Sequence, residues 1–167
     1  LSTGSSLTGA TGAVDVLTSD SNGGSTGSIA LSTGTAGLAA GDVTVEVGRS
    51  LSTEGSSLTM AAGQGAFNGG DSIIIGGKGA DLGGDVIMSG GVGTASSGGM
   101  ISMRSGQGLS SSSGYVVLGS ANSDTAGVSG DVSLVTGASI SDSGTVRVLT
   151  GDSSLQAGDI SLSGGDS

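Results

Sequence analysis

The chain contains no cysteine, no proline, no histidine and no tryptophan, and Tyr115 and Phe67 are its two aromatic residues. Each absence removes a class of protein. Without cysteine there is no disulfide framework, and the redox compartment stays open. Without histidine or cysteine there is no Ser/His/Asp or Cys/His catalytic apparatus and no ordinary zinc site, so the abundant serines have no imidazole base to activate them. The lack of proline, and of a glycine at every third position, excludes collagen despite 37 glycines in 167 residues. No run of about 18 apolar residues exists, so no helical span crosses a bilayer, and no secretory leader pattern opens the chain at Leu1. Basic residues are scarce too. Arg49, Lys78, Arg104 and Arg147 stand against fourteen acidic residues, a formal net charge of -10, which repels nucleic acid and anionic membrane surfaces. With 34% hydrophobic residues and so few aromatics, any core must be thin.

What is present is a repeat. Its plainest copy is Gly130-Asp131-Val132-Ser133-Leu134-Val135-Thr136-Gly137, a glycine followed by apolar residues two and four places on, closed by another glycine. The same apolar pair recurs as Val14/Val16, Ile29/Leu31, Val43/Val45, Leu58/Met60, Val86/Met88, Ile101/Met103, Val116/Leu118, Val146/Val148 and Ile160/Leu162. Only Ser72/Ile74 breaks it. Unit starts at 12, 27, 41, 56, 70, 84, 99, 114, 130, 144 and 158 are spaced by 14 to 16 residues. Alternation of period two predicts strands, with the pair on one face and its neighbours on the other, and the unit length predicts a solenoid.

Between these stretches lie less regular halves, each carrying one apolar residue that reads as a corner filler. It falls at Leu51, Ala80, Leu109 and Ile140 in one class of unit and at Leu38, Phe67, Ala95, Ala126 and Leu155 in the other. This hints at a doubled period. The expectation is an all-β fold, a parallel β-solenoid of 14–16-residue strand and turn units, with glycines at the corners supplying positive φ or close backbone approach. One unit per coil is possible. Two units per coil, about 29 residues, fit better, because the apolar pairs then face each other across about 10 Å, the usual distance between packed sheets. On this reading Val132→Asp disrupts a dry stack while Ser133→Asp faces outward and is tolerated.

The chain opens with Leu1-Ser2-Thr3-Gly4, which matches the end of a unit such as Leu31-Ser32-Thr33-Gly34, and it finishes just after Leu162. The expectation is a single uncapped solenoid over 1–167, part of a longer array.

Chemistry-bearing motifs are few. Gly63-Gln64-Gly65-Ala66-Phe67-Asn68 follows a dinucleotide fingerprint until its last position, and no helical pattern succeeds it. Gly76-Gly77-Lys78-Gly79-Ala80-Asp81 matches the calcium-binding β-roll motif once, but Gly90-Gly91-Val92-Gly93-Thr94-Ala95 lacks the aspartate and Lys78 adds an opposing charge. Asp42, Asp71, Asp131 and Asp159 follow opening glycines and read as polar turn residues facing water. No residue is therefore assigned a catalytic, cofactor or metal role, and the chain is not expected to be an enzyme. Asn22, Asn68 and Asn122 are not in N-glycan acceptor triplets.

Units of the form Gly27-Ser28-Ile29-Ala30-Leu31-Ser32-Thr33-Gly34 resemble the Gly/Ser-rich β-solenoid arrays of large secreted, cell-surface or fibre proteins of microalgae and microbes. The resemblance implies an extracellular or cell-surface structural protein, a filament, fibre or adhesin stalk. It carries no functional residue with it. The alternative is an ice-binding or other flat-surface-binding solenoid, with surface glycans as a further possible partner. Against ice, outward positions such as Asp42/Thr44/Glu46 and Thr145/Arg147/Leu149 form no regular Ser/Thr row.

One cluster of outward positions is apolar: Ile73, Ile75, Ile87, Met100, Tyr115 and Val117. A monomer rarely leaves such a set uncovered, so these six are the candidate interface for self-association into a filament.

Overall fold

A computed structural model describes residues 2–51, 54–123 and 126–166. Leu1, the first residue of the matched Leu1-Ser2-Thr3-Gly4, lies outside them. Two compact units divide the chain, Leu1–Gly84 and Asp85–Ser167. Among the described residues there is no helix and no β-strand. The predicted all-β solenoid, with one or two units per coil, is therefore not the fold, and the description of the chain as a β-helix falls with it.

What takes its place is an alternation of extended stretches and short loops that close on themselves. The clearest loops are fastened by backbone bonds: the amide of Gly70 donates to the carbonyl of Gly63 at 2.9 Å, Gly84 to Gly77 at 2.8 Å, Gly99 to Gly91 at 2.8 Å and Gly114 to Gly106 at 3.0 Å. All four donors are unit-opening glycines. The bonded glycines are seven positions apart in the first two cases and eight in the second two, so the doubled period suggested by the apolar spacing has no counterpart in them.

Several of the unfastened loops also bring their ends together. A methyl group placed on Gly27 would meet the Thr18 methyl at 3.5 Å, and one on Gly144 would meet the Thr136 methyl at 3.4 Å. The chain bends once within each loop, at 7–9, 22–24, 37–38, 51, 66–67, 80–81, 94–96, 109–111, 126–127, 140–141 and 154–155. Every residue taken from the sequence as a corner filler lies in one of these bends. The corners are where the repeat puts them. Their apolar side chains, however, fill nothing: Leu38, Phe67, Ile140 and Leu155 are fully exposed.

This geometry explains why no sheet forms. A solenoid strand satisfies its N–H and C=O groups by pairing with the coils above and below. Here the backbone bonds of the described residues are spent within single loops, each returning the chain to its own starting point, and none joins one extended stretch to another. Alternation survives without a sheet. The apolar residue two places after each unit start keeps 47–61% of its surface exposed, whereas the six outward positions keep 73–88%. The residue four places on, which shares that face, keeps 62–93%, so only the second position of each unit is partly sheltered, and no residue is buried among those described. Val132, at 56% exposed, does not sit in the dry stack expected of it.

Candidate functional site

No cavity is present among the described residues, and no three carboxylates or other metal-binding side chains come together. Asp42, Asp71, Asp131 and Asp159 are all exposed and are not gathered into a common site. No helix of the described chain is long and apolar enough to cross a membrane.

The two glycine motifs acquire a mechanical explanation. In the loop from Gly63 to Gly70, a Cβ on Gly65 would collide with the carbonyl oxygen of Asn68. In the loop from Gly77 to Gly84, a Cβ on Gly79 would collide with the carbonyl oxygen of Leu82. The same obstruction recurs at Gly93, against Ser97, and at Gly108, against Ser111 and Ser112. A Gly-x-Gly therefore opens every backbone-fastened loop, because the returning carbonyl occupies the space that a side chain on the third residue would need. Gly63-Gln64-Gly65 is such a pair, and no helix follows it to receive a phosphate. Gly77-Lys78-Gly79 is another, and Asp81 is exposed at its bend.

This requirement was missed in the sequence, although the signal is there. The pairs 63/65, 77/79, 91/93 and 106/108 recur at the repeat spacing in one continuous region, and taken together they point to one loop type, not to unrelated ligand motifs.

Loops outside that region are held differently. The amide of Gly9 donates to Ser6 Oγ at 3.0 Å and that of Gly24 to Ser21 Oγ at 3.1 Å. Ser123 Oγ donates to the carbonyl of Ala126 at 3.3 Å. The amides of Ser141 and Leu155 donate to Ser139 Oγ at 3.1 Å and Ser153 Oγ at 3.2 Å. Serine side chains compete well for local backbone groups, so they can cap a bend where no Gly-x-Gly lets the backbone close on itself. Ser6, Ser21, Ser123, Ser139 and Ser153 thus have a use that involves no chemistry.

The candidate interface residues can now be placed. Ile73 and Ile75 lie between the loops fastened at Gly70 and Gly84; Ile87 precedes the loop from Gly91, Met100 follows Gly99, and Tyr115 and Val117 follow Gly114. All six are exposed. In sequence, the apolar outward positions and the backbone-fastened loops occupy the same part of the chain. Ile73 and Ile75 belong to the first unit and the other four to the second.

Compared with known proteins, the chain matches no family model, no curated protein and no solved structure.

Proposed function

We propose that this chain is a structural repeat segment of an extracellular or cell-surface fibre, which works by associating with further copies of itself. The observation that carries this reading is the exposure of the apolar residues. Every large hydrophobic side chain among the described residues remains in contact with water, those at the partly sheltered second positions included. Single exposed apolar residues need no explanation, but a chain that buries none of them has its hydrophobic driving force still unspent. Association is the step that would use it. The Gly/Ser-rich repeat and its resemblance to secreted fibre proteins support the extracellular setting, and an enzymatic reading finds no cavity among the described residues in its favour. The ice-binding alternative relied on a flat sheet, and the described residues contain no strand.

Sedimentation velocity of the chain over a wide concentration range tests the proposal. The expected result is growth beyond a dimer as concentration rises. Ile73→Lys combined with Ile75→Lys should weaken that growth while leaving the fastened loops on either side intact. A well-behaved monomer at all concentrations would overturn the reading.

A further inference from the structure

Among the extended stretches, the one from Gly70 to Gly77 has a distinct combination of properties. It is held at both ends, by the Gly70 to Gly63 bond before it and the Gly84 to Gly77 bond after it, and both loops lie in the first unit. Its centre, Ile73-Ile74-Ile75, is apolar on both faces, because the outward positions on either side of the usual inward Ile74 are isoleucine as well, while Ser72 replaces the other inward residue. All three isoleucines are exposed, and none of their backbone groups makes a hydrogen bond among the described residues. The stretch is flanked by one charge of each sign. Asp71 precedes the isoleucines and Lys78 follows them, and neither has an ion-pair partner among the described residues.

We propose that Gly70–Gly77 is the site at which copies of this chain pair with each other, as antiparallel β-strands centred on Ile74; this rests on the self-association reading above and names its site and geometry. Short segments with β-branched residues, little net charge and no proline are the ones that stack between chains. The direction follows from the charges. Parallel in-register pairing would set Asp71 against Asp71 and Lys78 against Lys78, and like charges directly opposite are destabilising. Antiparallel pairing about Ile74 sets Ile73 against the second copy's Ile75, Ile74 against Ile74, and Asp71 against the uncharged Gly77, so that no like charges stand opposite each other. Unpaired N–H and C=O groups then find partners that the isolated chain does not provide. A strand has two edges, so a third copy can add to the free edge of the second, and the arrangement does not close. The fastened loops contribute by holding the stretch extended beforehand, which lowers the ordering cost of pairing.

The experiment uses the full chain. Sedimentation and infrared spectroscopy are compared for the wild type, Ile74→Lys, Val117→Lys, Asp71→Asn, and the exchange Asp71→Lys with Lys78→Asp, while the amide exchange of Gly84 reports whether the loop is intact. The wild type should associate with the split amide I band of an antiparallel sheet. Ile74→Lys should weaken association more than about tenfold with Gly84 still protected. Asp71→Asn and the exchange, which in this register leave no like charges opposite each other, should associate within about threefold of the wild type. If the wild type stays monomeric, the self-association reading and this site fall together. If the wild type associates but Ile74→Lys associates equally well, or only Val117→Lys reduces association, the site is wrong and the broader reading stands. Association of Asp71→Asn strengthened well beyond that range, or an associated wild type without the antiparallel splitting, would overturn the antiparallel geometry.

Discussion

The amide of Gly84 donates to the carbonyl of Gly77 at 2.8 Å, and inside the loop so closed the carbonyl of Leu82 fills the place where a side chain on Gly79 would stand. These two relationships depend on each other, since the backbone can return to Gly77 only along a path that crowds the third residue. Gly79→Ala should therefore open the loop, at a cost of about 1–3 kcal/mol, the usual range for forcing atoms into occupied space. The Gly84 amide should lose its protection from exchange. Gly37→Ala provides the contrast, because nothing lies within 4 Å of the added methyl and positive φ among the described residues is confined to Gly127. It should be neutral or stabilise by about 0.4–1 kcal/mol through the unfolded state. Equal exchange at Gly84 in wild type and Gly79→Ala would refute the steric account.

The serine-capped bends should behave differently. Ser153→Ala removes the oxygen that accepts the Leu155 amide, and Ser139→Ala does the same for Ser141. Both bonds are exposed, so water can replace the lost partner. The cost should stay below about 1 kcal/mol, the net worth of an ordinary hydrogen bond. Chemical-shift changes confined to residues next to each bend would support this, and loss of structure in other loops would contradict it.

Val132 and Ser133 test the corrected fold directly. A solenoid core would make Val132→Asp far worse than Ser133→Asp, whereas a Val132 that is 56% exposed already meets water. In dilute solution the two variants should differ by less than about 0.5 kcal/mol, the range of ordinary surface substitutions. A large gap in backbone amide exchange around Gly130 and Gly137 between them would restore a buried face.

The spacing of units and the places where the chain turns were legible in the sequence, but of each predicted inward pair only the first residue is partly sheltered. Gly70, Gly84, Gly99 and Gly114 open units in the sequence and fasten loops in the structure. Val86 is less exposed than its neighbour Ile87, as alternation requires. What could not be read was pairing. Alternation records which face of an extended stretch would be buried, but not whether a second stretch is available to cover it. That depends on where the intervening residues lead the chain, and the Gly-x-Gly loops lead it back to its own start. Likewise Leu38 and Phe67 marked the bends correctly, yet an apolar residue at a bend fills a corner only if a core lies behind it.

The last prediction concerns charge. Copies that carry a net charge of -10 repel one another, and this long-range term opposes association whichever stretch makes contact. Added salt shortens its reach, to about 8 Å at physiological ionic strength and about 3 Å at 1 M, while leaving apolar contacts in place. Salt also weakens any Asp71 to Lys78 attraction between copies, but exposed pairs of that kind contribute only about 0.2–1 kcal/mol each, whereas the repulsion involves every acidic residue of both chains. Association at neutral pH should therefore strengthen as salt rises. Lowering the pH acts in the same direction, because the net charge vanishes near the isoelectric point of 4.1. Light scattering across a grid of salt and pH should show the largest assemblies near pH 4 and the smallest at neutral pH and low salt. Assemblies that dissolve with added salt at neutral pH would mean that contacts between opposite charges, and not exposed isoleucines and valines, hold the copies together.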